Sequence, residues 1–322
     1  MKHLLRLAVA SPGGWRLVNR FRPAGCAVLM YHRLGEPDDP FPHLPVAEFR
    51  RHMEWLVEHG ECVAADDLRS RVGTRAGGRL PFLVTFDDGY RSFYDHAYPI
   101  LRRLGIPAVS FLPTDLIDRP RLPWWDLLHL AVHASKRPRV FAEGVSGDGQ
   151  LELRGDGRKR YLRLCKARIK RASACDVDAL LAGIAEALDV ELASLAASRQ
   201  YMTWDEVRAS ADLTTFGGHT HTHPLLTKVD RVVAAAEIRT CRERIAAATG
   251  RAPRVFAYPS GDFDEQVQAV TANCGFDTAF STVEGLARPD TDWLAVKRVS
   301  AERPLTHLAW GIWRTWFGPA SP

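Results

Sequence analysis

The sequence predicts an α/β fold: a (β/α) barrel interrupted by an α-rich insertion. Three observations carry this. Short apolar runs of strand length alternate with helical patterns in both the first and the last third of the chain. Alternation of that kind implies a parallel sheet, and six or seven such units suggest a barrel. Between about residues 115 and 200 the alternation fails, so that stretch reads as an insertion.

Residues 1–24 form a basic, amphipathic lead-in. Lys2, Arg6, Arg16, Arg20 and Arg22 accompany Leu4, Leu5, Leu7, Trp15, Leu17 and Phe21, the composition of helices that lie on membrane surfaces. A helix docked on the protein body fits the same residues. Arg6 breaks the first apolar run and Ser11-Pro12-Gly13-Gly14 ends it, so no secretory signal is expected. Cys26 to Tyr31 is the first buried strand. Ala47 to His59 is a helix with Phe49, Met53 and Leu56 on one face and Gly60 as its cap. Leu80 to Phe86 is the second strand, Ser92 to Leu104 a helix stopped by Gly105, and Ile106 to Leu112 the third strand.

Within the insertion, Gly147-Asp148-Gly149 between apolar pairs predicts a hairpin over Val140 to Leu153. Arg158 to Arg171 carries eight Lys/Arg and no acid, with Leu162, Cys165 and Ile169 as an apolar stripe. Such a run is a solvated helix face or a site for anionic lipid or polymer. Barrel alternation resumes with strands at Asp212 to Phe216, Arg254 to Tyr258, Phe276 to Ser281 and Leu294 to Val299. Helices are expected at Asp230 to Thr249 and Glu265 to Cys274. The domain reading is thus a lead-in at 1–24 and one catalytic-type domain at 25–322, interrupted at about 115–200.

Composition sets the outer limits. Apolar residues make up 46% and charged residues 25% of the 322, as in ordinary globular proteins. A net charge of +5 is too small to argue for nucleic acid, and none is expected as a partner. The cysteines Cys26, Cys62, Cys165, Cys175, Cys241 and Cys274 form no CxxC pair, so they read as core residues in a reducing compartment. The expected location is cytoplasmic, with peripheral contact to the anionic inner membrane face. The lead-in, the basic run and the aromatics Trp310, Trp313, Trp316 and Phe317 together suggest that contact.

Three clusters carry chemistry, each at a predicted strand end. In Thr85-Phe86-Asp87-Asp88-Gly89-Tyr90, two adjacent carboxylates follow an apolar strand. That crowding of like charge beside a low-dielectric core is costly unless used. A helix cap explains one Asp but not two. In Gly217-Gly218-His219-Thr220-His221-Thr222-His223-Pro224, three histidines fall within five residues. His219 and His223 converge on one ion if the segment turns helically, and all three share a face if it stays extended. The third cluster is Val28-Leu-Met-Tyr-His32, a strand ending in a histidine that is weak evidence on its own.

Together, TFDDGY, HTHTHP and FAYPSGD resemble the motifs of the NodB-homology polysaccharide deacetylases, carbohydrate esterase family four. The resemblance runs from about Cys26 to Val299. It implies a distorted or incomplete (β/α) barrel that binds one divalent metal ion, zinc being the expected identity. The implied activity is hydrolysis of N-acetyl groups on a sugar, polysaccharide or lipid-linked glycan, in cell-envelope or exopolysaccharide biosynthesis. By position, Asp87 is then the general base, and Asp88, His219 and His223 hold the metal. Two His and one carboxylate leave room for water and a substrate carbonyl, and the ion acidifies the attacking water. The loop at Tyr258, Pro259 and Ser260 is the implied oxyanion and substrate contact.

The chain also departs from the family. Ala257 stands where many members have an arginine that orients the base, and Ser260 where they have an aromatic. The late leucine–histidine motif that supplies the acid is missing near Lys297-Arg298. A permuted subgroup that includes poly-N-acetylglucosamine deacetylases is similar, with its acid at the start of the fold, which assigns the acid to His32. Arg298 is the candidate replacement for the missing arginine and is grouped with the substrate-side residues. The rival readings are a catalytically inactive glycan-binding protein that keeps the fold, and a non-haem iron oxygenase, which the βα alternation disfavours.

Overall fold

A computed structural model describes residues 2–73, 79–119, 121–142, 149–173, 176–195 and 199–317. Seven strands carry the architecture: β1 (Ala27–Tyr31), β2 (Leu80–Phe86), β3 (Ala108–Leu112), β4 (Thr214–Gly218), β5 (Val255–Ala257), β6 (Thr278–Glu284) and β7 (Val296–Ser300). Each pairs in parallel with its sequence neighbours, and β1 pairs with both β2 and β7. The sheet therefore closes on itself. The barrel is distorted rather than incomplete: β4 and β5 share a single register pair, Gly218 with Phe256, and the β6–β7 register shifts between Phe280 and Glu284. A short strand, Gly60–Cys62, adds to β2 alongside its first residues.

Strand side chains alternate between the inside and outside of a barrel. Inward positions are filled by Val28, Leu83, Val109, Phe111, Val255, Ala257, Phe280 and Val296, all buried in one cluster. Arg298 lies two residues beyond Val296, so the same alternation turns it inward, where it is 1% exposed. Gly217 is required where β4 passes the interior, because a Cβ there would come 2.5 Å from the Phe111 ring.

Gly105 caps its helix in the left-handed conformation at φ 65°, as Gly should. Gly60 also caps its helix, its N–H bonding Leu56 O, but at φ −130° it is extended and leads straight into the short strand paired with Leu80. The helix expected over Ser92 to Leu104 begins as a π-turn at Phe93–Ala97 before the α-helix Tyr98–Leu104.

Contacts divide the chain into two compact units, one of Met1–Arg119 with Tyr201–Pro322 and the other Pro120–Gln200. The second unit has its own core, with Leu128, Val132, Leu151, Cys165, Ile169, Leu181 and Leu188 buried between its helices Trp124–Ala134, Asp156–Arg171 and Val177–Leu188. Its hairpin pairs Arg139–Phe141 with Gln150–Glu152. Gly147 and Asp148 of the expected turn, and Cys175, lie outside the described residues. Tyr161 joins Cys165 and Ile169 as the buried stripe of the basic helix, with Leu162 half-buried against the same core.

The lead-in forms two helices, Lys2–Ala10 and Pro12–Asn19, packed on each other. Ser11 caps the second, its hydroxyl accepting from Gly14 N–H at 3.1 Å. Trp15 is 1% exposed and sits between Trp55, at 4.6 Å, and Trp316, at 5.1 Å. Trp316 is therefore core and not a membrane-facing aromatic. Trp310 and Trp313 stack on each other, half-buried, and the Phe317 side chain lies outside the described residues. No helix among the described residues is long and apolar enough to cross a membrane.

Candidate metal centre

The carboxyl ends of the parallel strands gather at one rim of the barrel, where such folds hold their chemistry. Asp87 and Asp88 follow β2, His219 follows β4, His32 follows β1, and Glu302 stands two residues beyond β7. Four of the five non-glycine residues with positive φ among those described, Asp88, Thr220, His223 and Ser260, lie in the rim motifs. Backbone held in that region costs about 1–3 kcal/mol per residue and persists where surrounding contacts fix it.

Asp88, His219 and His223 come together. The Asp88 Oδ1 atom is 3.2 Å from His219 Nε2 and 3.3 Å from His223 Nε2, and the three donor atoms lie within 4.8 Å of one another. His219 Nδ1 lies 2.7 Å from the Ala257 carbonyl oxygen. A carbonyl only accepts, so Nδ1 is the atom that donates there, which leaves Nε2 as the ring atom turned toward Asp88. The three donor atoms are close enough together to hold one metal ion. Imidazole nitrogens with one carboxylate suit zinc and its neighbours. Burial and the neighbouring His219 lower the His223 pKa against the pull of Asp88, which favours the neutral, ligating form. Burial alone would raise the Asp88 pKa, but hydrogen bonding to His219 and His223 holds it well below the usual carboxylate range.

The expected pair of histidines converges, but not through a helical turn. Residues 219–223 form a loop with Thr220 at φ 64° and His223 at φ 65°. The loop is held from two sides. Thr114 N–H and Asp115 N–H, just past β3, donate to the carbonyls of Thr220 and His221. On the other side the Glu237 carboxylate accepts from His221 N–H at 2.9 Å, Thr222 N–H at 2.7 Å and the Thr222 hydroxyl at 2.8 Å. His221 points away, its Nδ1 2.8 Å from the Thr114 hydroxyl. Glu237 sits mid-way along the arginine-rich helix Arg231–Thr249, where nothing in the sequence marks it out. Glu237→Ala is expected to weaken zinc binding about 10–100-fold, the usual effect of removing a group that orients ligands. Glu237→Gln, which keeps one acceptor oxygen, falls between. Competition with a chromogenic chelator measures both.

Asp87 is not a ligand in this arrangement. Both its oxygens accept from Arg298, Oδ1 from Nη1 and Oδ2 from Nη2, each at 2.7 Å, and both residues are buried. Arg298 is fixed in turn by Ser281 O and the Thr85 hydroxyl. An arginine from β7 thus faces Asp87 in a chain that has Ala257 in its third motif. The grouping of Arg298 with substrate-contacting residues is corrected, because a guanidinium engaged at both ends inside the barrel orients the carboxylate. Burial alone would raise the Asp87 pKa, but Arg298, with smaller help from His32 and His219, holds it below the usual range.

His32 Nε2 is 3.8 Å from Asp87 Oδ2, and its Nδ1 is 3.4 Å from Glu302 Oε1. The same Glu302 oxygen accepts from His32 backbone N–H at 2.7 Å. Burial alone would lower the His32 pKa, but Glu302, with Asp88 and Asp87, pushes it up to about 10. Glu302 lies beyond the expected strand Leu294 to Val299, because β7 runs on to Ser300 and carries the rim further along the chain. Extending the strand-end rule past Ser300 finds it.

Tyr258 is a second correction. Its ring is buried against Phe256 and Phe263, its hydroxyl donates to Leu294 O, and its N–H donates to Phe280 O, so it is a core residue. In the turn Pro259–Gly261, Pro259 is buried and Ser260 exposed.

The chain is similar in part to known proteins. YxkH of Bacillus subtilis (strain 168) is 33% identical over 93 residues, 28% of this chain and 33% of that protein. The poly-beta-1,6-N-acetyl-D-glucosamine N-deacetylase of Escherichia coli (strain K12) is 31% identical over 102 residues, 30% of this chain and 15% of that protein. The matched stretch spans a third or less of these curated relatives. The fold is similar to that of the Streptococcus pyogenes deacetylase PplD, solved with acetate. There the TM-score is 0.59 at 15% identity, covering 91% of this chain and 99% of that one. A family model described as polysaccharide deacetylase matches residues 76–148 and 185–279. Those two stretches are more than half the chain, hold Asp87, Asp88, His219 and His223, and part within the inserted unit: the chain belongs to the polysaccharide deacetylase family.

Proposed function

We propose that the protein is a metal-dependent N-deacetylase acting on an N-acetylated glycan, polymeric or lipid-linked. The observation that carries this is the joint placement of a two-histidine, one-carboxylate centre beside a second, buried carboxylate clamped by Arg298. A divalent ion held by Asp88, His219 and His223, with zinc the best fit, supplies Lewis acidity toward water and the acetamide oxygen. The protein's own groups do the rest. Asp87, kept ionised and fixed in plane by Arg298, accepts the proton of the attacking water. His32, kept protonated by Glu302, donates to the departing sugar amine. Within the turn, Pro259 has no N–H, and those of Gly261 and Asp262 bond Tyr258 O and Pro259 O, leaving Ser260 N–H as the oxyanion donor.

Acetate release from a panel of N-acetylated glycans tests the reading. Release is expected to stop with a chelator and return with zinc. A metal-loaded protein that binds a glycan yet releases no acetate from any of them would instead be the inactive binding protein.

The His32–Glu302 contact makes a second expectation. An acid must be protonated to act, and a pKa raised to about 10 keeps His32 protonated through neutral pH. Glu302→Gln removes the anion while burial continues to lower the pKa. The alkaline limb of the kcat profile should therefore move to lower pH, toward or below the ordinary imidazole value of ~6.5. An unmoved limb would assign the acid elsewhere.

A further inference from the structure

The chain has no Asp or Glu before Glu36, while five Lys/Arg fall within its first 22 residues. Of the nine large apolar side chains exposed among the described residues, five lie between Leu4 and Phe21: Leu4, Leu5, Leu7, Leu17 and Phe21. The packing of Trp15 explains why. With Trp15 and Asn19, one helical turn apart, buried against the body, Leu17 is turned outward at 64% exposure, and Phe21, in the turn that follows the helix, is 66% exposed. Arg16 within the helix and Arg20 at its cap are exposed as well. In the preceding helix Val9 faces inward and Arg6 reaches His307 at 2.7 Å, which leaves Leu4, Leu5 and Leu7 outside. Two consecutive helices that pack on each other thus expose leucines and a phenylalanine with arginines alongside.

We propose that this face docks on an anionic lipid surface. The helices have nine and eight residues, too short to span a bilayer but suited to lying in its interface. The leucines and Phe21 enter the acyl boundary, and Arg16 and Arg20 meet headgroup phosphates. Charge complementarity requires an anionic partner, since the segment is cationic without an acid, and the exposed leucines and Phe21 interspersed with those cations match a lipid interface, which offers phosphates and an acyl layer together. The inference is independent of the deacetylase reading. It uses the lead-in helices alone, leaving aside the basic helix Asp156–Arg171 of the other unit and the buried Trp316.

The test is co-sedimentation of the full chain with vesicles of phosphatidylglycerol mixed into phosphatidylcholine, against phosphatidylcholine alone. The protein should partition to the anionic vesicles, less so as salt rises. Arg16→Gln with Arg20→Gln should lower the partition coefficient on the order of thirty-fold. Leu17→Ser with Phe21→Ser should abolish stable binding. All four positions are exposed, so the variants keep the Trp15–Trp55–Trp316 packing, and an unchanged melting temperature confirms it. Equal binding to neutral vesicles, or binding insensitive to both pairs, overturns the proposal. So does a dimer in lipid-free solution that the Leu17→Ser/Phe21→Ser variant dissolves, which would make the face a contact between two copies.

Discussion

Asp87→Asn is expected to lower acetate release by ~10²–10⁴-fold, the range for a lost general base, with zinc still bound. The amide cannot take a proton from water, while Asp88, His219 and His223 keep their donor atoms. The substitution has a second effect that must be separated from the first. Arg298 is 1% exposed, and Asn leaves its charge without an anion. Breaking a buried pair from one side costs about 3–5 kcal/mol, a large share of the ~5–15 kcal/mol that holds a domain together. The measurement is therefore kcat at a temperature where circular dichroism shows the variant folded, with zinc content read on the same sample. Loss of zinc together with rate would make Asp87 a ligand and overturn its assignment as base.

His219→Ala or His223→Ala is expected to weaken zinc binding more than ~100-fold, beyond what losing an orienting group costs. His221→Ala should change it far less, because that ring bonds the Thr114 hydroxyl and points away from the centre. Thermal melting provides a readout independent of turnover. A ligand at 100 times its Kd adds about 2.7 kcal/mol to stability, so zinc should raise the melting temperature of the parent and of His221→Ala but not of the other two. Equal losses from all three would mean that each ring ligates.

Much of this centre was legible in the sequence because its residues are tied to strand ends. Asp87, Asp88 and His32 each follow a recognisable apolar run and His219 a short expected strand, and the barrel turns those positions to one rim. The pairing of His219 with His223 was read correctly for a reason that the structure replaces. Positive φ at Thr220 and His223, held by Thr114, Asp115 and Glu237, brings the rings together where a helical turn was expected. Glu237 and Glu302 were not legible. One acts from the middle of a helix through backbone N–H groups, and the other from beyond a strand whose end was set too early. Tyr258 was misplaced because a motif position says nothing about which face of the chain a side chain takes; Leu294 and Phe256 decide that. A barrel was expected, but whether it closes was left open, since a sequence read strand by strand does not reveal that the first pairs with the last.

That closure bears on how the chain is made. β1 can zip onto β2 as soon as residue 86 has emerged, but its other edge waits for β7 and stays an open row of unpaired amides and carbonyls until about residue 300. The inserted unit, with contacts internal to residues 120–200, can bury its core long before then. Synthesis thus passes through a stage in which a completed satellite hangs from an unfinished, adhesive sheet. Such pairing between distant segments folds slowly and exposes edges that aggregate. Chains halted just before Val296 should accordingly precipitate or hold chaperone, whereas chains released after β7 should not, and ribosome-bound nascent chains of graded length would show the switch.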